Sequence, residues 1–527
     1  MTYSFNLIDE PWIPCVQMDG RVMEYSLYNA LAQAHQLRSV QGDTPLETAA
    51  VYRLMLAVIH SALKGPAAQP EWRNLWQKKK WDMADFDAYL NAPSRKTRFD
   101  LFDKERPFYQ IKDGRVKPKT ASQLTHGMGT ANELFDHESV TENVVFTCAE
   151  AARMLLVGQV FGLGGGCDPK QKLYLSSGAW TKGIIFFAEG DNLFETLMLN
   201  ALLYKDDRPI NRLGKDLPAW DMDDPYENER NKPNGYLDYL TWQNRRFLLF
   251  PETIQGKVMV RQMTIAPGLV MGAENFFDPM KQYKKGKKDW VRLDFREEKG
   301  LWRDSHLLLH LSRKDNQGDS QPPQFIDRLA ELVDEGILDK KHLFHYMAYG
   351  IGMDPENPQM ARIILYKSEH LPVPFSYFQS NENEDLVGTV RQAIELADSV
   401  RAKLLFAANV LAKFFISPNA DLKDGKQPDL KDIKKLANHY GAERYFWSRL
   451  EVPFYEFLQT MPDNPEFALA RWKETLQETA WEALRSAERM AGENTKALKA
   501  ATRAESVLYG ELKKLFEELQ PQKEATA

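Results

Sequence analysis

Phe161-Gly162-Leu163-Gly164-Gly165-Gly166-Cys167 is the stretch whose surroundings decide the fold. Upstream, Ala149 to Val160 places Ala152, Leu155, Leu156 and Val160 at the spacing of a helix. Downstream, Gly183 to Ala188 (GIIFFA) has the unbroken apolar run of a buried strand. The glycines therefore join regular elements of both kinds. Without a Cβ at Gly162, Gly164, Gly165 and Gly166, the main chain is free to take positive φ and to lie close against a neighbour. Two readings of the loop follow: a tight internal turn, or main chain offered to a partner.

Working outward, the chain has 527 residues, enough for more than one domain and a large core. Hydrophobic residues make up 43% and charged residues 27%, an ordinary globular balance. The N-terminus lacks a secretory pattern, and no apolar run approaches the roughly 18 residues of a membrane span. Cys15, Cys148 and Cys167 form no CxxC pair, which argues against a disulfide framework or a zinc ribbon. A cytoplasmic protein with no membrane partner is expected. The formal charge of −6 is unlike that of a free-standing nucleic-acid binder, so any such contact must use local patches or a larger complex.

Phe5 to Pro14 (FNLIDEPWIP) alternates as a short strand ending at two prolines. Asp43-Thr44-Pro45 opens a helix that runs to Leu63. Gln123 to Asn143 is polar and aperiodic, a long loop with Leu134-Phe135 in its middle. Lys281, Lys284, Lys285, Lys287 and Lys288 surround Gly286. This cluster is either a solvated surface or, beside Trp290 and Phe295, a phosphate contact. Gly350 to Pro372 has the form of a hairpin with its turn at 354–359. From about Gln379, Leu386, Val390, Ile394, Ala397, Leu404, Leu411 and Phe415 follow helical spacing to a break at Pro418. Further helical stretches cover 442–461, with Pro453 as a kink, then 465–491 and 495–519. The predicted fold class is α+β: a mixed N-terminal domain over 1–378 and a C-terminal four-helix bundle over 379–527. The bundle carries 21 basic and 24 acidic residues, so charge favours neither domain.

Catalytic signatures fail. The glycine loop is neither a P-loop, since no GK[ST] follows, nor GxGxxG, since Cys167 takes the third glycine position. His306 and His310 lack the glutamate of HExxH, and Leu307-Leu308-Leu309 between them reads as a buried strand. His342 and His345 read as packing or surface residues. No catalytic residue, metal ligand or cofactor is nominated.

FNLIDEPWIP, DTPLETAAVYRLMLAVIH, the FGLGGG loop and the C-terminal bundle together resemble the CasA family, the large subunit of the type I-E CRISPR surveillance complex Cascade. The resemblance implies a non-catalytic subunit that recognises the protospacer-adjacent motif (PAM) of target double-stranded DNA. It also implies help in opening the duplex and in recruiting a helicase–nuclease, with guide RNA and the backbone and small Cascade subunits as further partners. By that resemblance Gly162, Gly164, Gly165 and Gly166 enter the minor groove at the PAM. A minor-groove lysine falls at Lys288 in preference to Lys287, and a wedge falls at Gln359, with Met360 as the alternative. Leu134, Phe135 and Asp136 contact the guide-RNA handle and a neighbouring subunit; otherwise Phe135 folds back onto its own domain. Two rival classes remain: a helical scaffold without nucleic-acid contact, and a hydrolase with a glycine-loop anion site beside His306 or His310.

Overall fold

A computed structural model describes residues 3–124, 144–168, 172–227, 230–272, 276–311, 320–353, 363–422 and 425–518. The chain divides into two compact units. Unit 1 comprises Met1–Glu297 with Leu311–His370, and unit 2 comprises Glu298–His310 with Leu371–Ala527. Against a single cut between 378 and 379, unit 2 begins at Leu371 and takes in Glu298–His310. The fold is α+β, mixed in unit 1 and helical in unit 2.

Unit 1 is built on the helix Pro45–Leu63. The Thr44 side chain accepts from the Glu47 amide, proline fills the first turn, and Lys64 stops the helix in the left-handed region at φ 52°. Residues Leu46 to Ser61 are all buried, so the helix has no solvent face. By length and composition this helix alone among those described could cross a membrane, which corrects the expectation that no stretch comes near that length. Here its faces are covered by unit 1, chiefly by the helices Cys148–Phe161 and Met83–Leu90.

Arg153, on Cys148–Phe161, ties together three distant stretches. It lies 2.9 Å from Glu47 Oε2 and 3.1 Å from Asp43 Oδ2, and donates to the Trp12 carbonyl at 2.9 Å. Glu24 Oε1 completes the set at 2.9 Å. Burial pushes the Glu47 carboxyl up against the pull of Arg153. The opening segment, the start of the core helix and the helix leading to the glycines thus share one cation.

Small antiparallel sheets surround this core. Ile13–Gln17 lies between Val22–Tyr25 and Leu37–Val40. The long hairpin Arg245–Ile254 and Lys257–Pro267 also pairs with Lys119–Thr120 and Phe146–Thr147. Ile185–Glu189, buried throughout, pairs with Leu343–Met353, which pairs in turn with Ile363–Pro374. The expected hairpin strands are therefore present, and the first begins earlier than Gly350.

Three expectations need correction. Phe5 to Pro14 is not a strand: Leu7 and Ile8 are both fully buried, which alternation forbids, and Asn6 turns the chain by accepting from the Ile8, Asp9 and Glu10 amides. The strand starts only at Ile13. His306 to His310 is not a strand either, since Ser305–Leu308 is a short helix. In unit 2 the four predicted bundle helices are present, as Asn383–Ile416, Ala442–Thr460, Pro465–Ala491 and Thr495–Glu518, but among the described residues there is a fifth helix that the sequence reading lacked, Leu430–Tyr440. The additional one, Leu430–Tyr440, is capped by Asp429 and stopped by Gly441 at φ 72°. It buries Ile433, Ala437 and Tyr440.

The core of unit 2 is aromatic. Trp302 packs tilted against Phe454 with centroids 4.7 Å apart, and Trp472 donates to the Ala393 carbonyl at 2.9 Å. Asn383 Nδ2 donates to the Leu309 carbonyl at 2.8 Å, which holds the segment 298–310 to the long helix.

Two outcomes are expected. Arg153→Met strands Glu47 in the core and should lower the unfolding free energy by about 3–5 kcal/mol, measured by denaturant titration, with much of the loss recovered by adding Glu47→Gln. In unit 2, burial and the neighbouring Glu505 push the Glu488 carboxyl up to about 7 from an ordinary 4.5. A proton held more tightly in the folded state contributes stability that disappears as pH rises through about 7. Glu488→Gln should therefore raise the thermal midpoint near pH 8 and leave it nearly unchanged below about pH 4.

Candidate nucleic-acid interface

The helix Cys148–Phe161 starts with a capping box, in which Thr147 and Glu150 exchange side-chain-to-backbone hydrogen bonds. Its other end is clamped. The Val160 carbonyl accepts from the Trp180 amide at 2.8 Å, and the Gly162 carbonyl accepts from the Gly178 amide at 2.8 Å and Thr181 Oγ1 at 3.0 Å. The segments meet so closely that a Cβ on Gly178 would stand 2.4 Å from the Val160 carbonyl oxygen.

Beyond the clamp, the stretch is not wholly a loop as the sequence suggested. Gly165–Asp168 is a short strand paired with Leu173–Leu175, with Gly165 opposite Leu175 and Gly166 opposite Tyr174. The predicted glycines fall into two classes. A Cβ on Gly162 would meet the Gly158 carbonyl oxygen at 2.5 Å and Arg245 Nη2 at 2.9 Å, so internal packing requires glycine there. Gly164 is tight, with Ser177 Oγ at 3.2 Å from such an atom. Gly165 is different: among the described residues nothing lies within 4 Å of the added Cβ, and at Gly166 only the Tyr174 ring edge touches, at 4.0 Å. Neither lies in the left-handed region that favours glycine, and both are exposed. Packing among the described residues gives no reason for glycine at 165 or 166.

Cations hold the main chain on either side of these two residues. Arg245 Nη2 donates to the Leu163 carbonyl at 2.8 Å, and Lys119 Nζ donates to the Cys167 carbonyl at 2.5 Å. Arg245 is 1% exposed and has no carboxylate partner among the described residues. Burial pulls it down to about 10, still charged at neutral pH. Sequence reasoning missed both cations, as well as Tyr174, which stands 67% exposed beside the bare strand. The Arg245-Arg246 pair at the head of a strand was the one available cue.

The lysine cluster splits. Tyr283–Lys285 and Trp290–Arg292 form a hairpin closed by the Gly286 amide donating to the Asp289 carbonyl at 2.8 Å. Lys287 and Lys288 sit at its exposed tip and form no ion pair among the described residues. Phe277 packs edge-on against Tyr283 and Trp290 at the base. Lys281 does not belong to this surface. It is 6% exposed, and its ammonium donates to the Ala179 carbonyl at 2.5 Å.

Leu134, Phe135 and Asp136 lie outside the described residues, as do Gln359 and Met360. His306 and His310 are in unit 2 and the glycine strand is in unit 1. Among the described residues no group of three His, Cys, Asp or Glu is placed to hold a metal ion.

A family model described as CRISPR-associated protein Cse1 matches residues 6–483. CRISPR-associated protein CasA/Cse1 of Thermus thermophilus is 31% identical over 97% of this chain and 98% of its own. The crystal structure of Cse1 from Acidimicrobium ferrooxidans superposes with a TM-score of 0.80 at 23% identity, covering 99% of this chain and 100% of that one. A chain of a structure titled CRISPR RNA-guided surveillance complex aligns at TM-score 0.72 and 19% identity, over 96% and 99%. The chain belongs to the CRISPR-associated protein Cse1 family, the CasA proteins that its sequence resembles.

Proposed function

We propose that this protein is the non-catalytic large subunit of a cytoplasmic type I-E surveillance complex, and that its strand Gly165–Gly166 reads the PAM through the minor groove. The observation that carries the reading is the bareness of these two exposed residues where internal packing does not demand it. The minor groove is roughly 6 Å wide and admits main chain more readily than side chains. Because A·T and T·A present nearly the same acceptors there, such a reader tolerates related motifs.

The remaining roles fit around that contact. Lys288 or Lys287, at the exposed hairpin tip, supplies the positive charge that a chain of net charge −6 lacks overall. Gln359, or Met360, in the sequence between Leu343–Met353 and Ile363–Pro374, is the wedge. Inserting it costs a few kcal/mol of unstacking, offset by new contacts and by guide pairing. Leu134, Phe135 and Asp136 meet the guide-RNA handle and a neighbouring subunit, and the helical unit meets the small subunits. A helicase–nuclease follows on the opened target.

Gel shifts of guide-loaded complex with PAM-bearing duplex test the reading. Gly165→Asp places a carboxylate among phosphates and should weaken binding at least about thirtyfold while leaving the thermal midpoint of the free chain unchanged. Gly162→Ala should do the reverse in kind, lowering stability by about 1–3 kcal/mol through its clash with the Gly158 carbonyl. Binding by Gly165→Asp equal to wild type would remove the reading. A randomised flanking library should return several related motifs; enrichment of one strict trinucleotide would count against minor-groove readout.

A further inference from the structure

We propose that Lys281 is a positioning residue, a buried strut that fixes the spacing between the glycine strand and the lysine-tipped hairpin so that both engage one duplex. The inference rests on the groove reading above and adds to it a residue that touches no DNA. Lys281 reaches the glycine side through Ala179, whose carbonyl accepts from its ammonium at 2.5 Å. Ala179 lies between the two residues that clamp the end of the helix: the Gly178 amide binds the Gly162 carbonyl, and the Trp180 amide binds the Val160 carbonyl. On the other side, the chain runs from Lys281 straight into Tyr283–Lys285 and the turn that carries Lys287 and Lys288.

Asp278 locks the strut. It lies 3.7 Å from the Lys281 ammonium and accepts from Trp180 Nε1 at 3.1 Å, Tyr239 OH at 2.7 Å and the Met280 amide at 3.0 Å. Arg53 covers both rings, 4.4 Å from Trp180 and 4.2 Å from Tyr239. Lys281 and Asp278 are 6% and 5% exposed. A buried ion pair adds little net stability over well-packed apolar side chains, so stability alone does not account for a charge here. What the ammonium adds is direction: one donor aimed at one carbonyl across two segments about a hundred residues apart. Two weak contacts on one rigid body reinforce each other only when their spacing matches the target, which is what such a strut supplies.

The test uses the guide-loaded complex with two probes: a matched duplex carrying a motif enriched from the flanking library, and the single-stranded target alone. Lys281→Met should assemble into the complex, bind the single strand as wild type does, and lose about tenfold on the duplex. Lys288→Ala should then cost less in the Lys281→Met background than in wild type, because the two contacts are no longer coupled. If Lys281→Met does not assemble, Trp180→Phe keeps a ring while removing the donor to Asp278, and the same duplex-only loss is expected. Duplex binding equal to wild type, or an equal loss on both probes, overturns the inference. Gly165→Asp separates the two levels: if it is impaired while Lys281→Met is neutral, only the strut fails, whereas if it too binds normally the groove reading fails with it.

Discussion

The arrangement depends on how the helix Cys148–Phe161 ends. A helix leaves its last carbonyls without partners, and at this terminus two are taken by amides from a segment more than fifteen residues further on. The contact exists only because Gly178 brings its backbone against Val160 without a side chain between them. Once Val160 and Gly162 are fixed, Leu163 meets the guanidinium of Arg245, and the next residues leave the body as an exposed strand with an anchored root. Glycine serves two opposite purposes within five residues, permitting contact inside the protein at 162 and keeping the outer surface bare at 165 and 166.

Electrostatics makes the same distinction between local and global. A net charge of −6 repels a polyanion at long range, but at physiological salt the screening length is about 8 Å. Within that distance, Arg245 and Lys119 lie on the carbonyls that flank the bare residues, and Lys287 and Lys288 stand at a hairpin tip without acidic neighbours in ion-pair range among the described residues. Under the proposed reading, the placement of a few cations counts for more than the sum over the chain.

How much was legible in the sequence follows from the range of the forces involved. The bounds of Pro45–Leu63 were readable because Thr44 and Pro45 act locally. The opening, the core helix and the glycine stretch were recognisable as a set, and Arg153 supplies a physical reason, since one guanidinium binds Trp12, Asp43 and Glu47. The turn at Asn6 was missed because alternation in FNLIDEPWIP is fortuitous, with Leu7 and Ile8 buried side by side. Leu430–Tyr440 was missed although Ile433, Leu436, Ala437 and Tyr440 stand at helical spacing and Asp429 and Gly441 mark both of its ends. The two kinds of glycine could not be told apart, because what crowds Gly162 includes Arg245, more than eighty residues away. Lys281 looked like one more lysine of a surface run until its carbonyl partner at Ala179 placed it inside.

The central claim is that exposed, unencumbered main chain at 165–166 lies in a groove of double-stranded DNA. The most direct measurement is a structure of the assembled complex holding a duplex target. The account predicts the backbone of Gly165 and Gly166 within about 4 Å of minor-groove base edges next to the guide-paired region. Finding that strand turned to solvent or covered by another subunit, with the duplex read elsewhere, would contradict it.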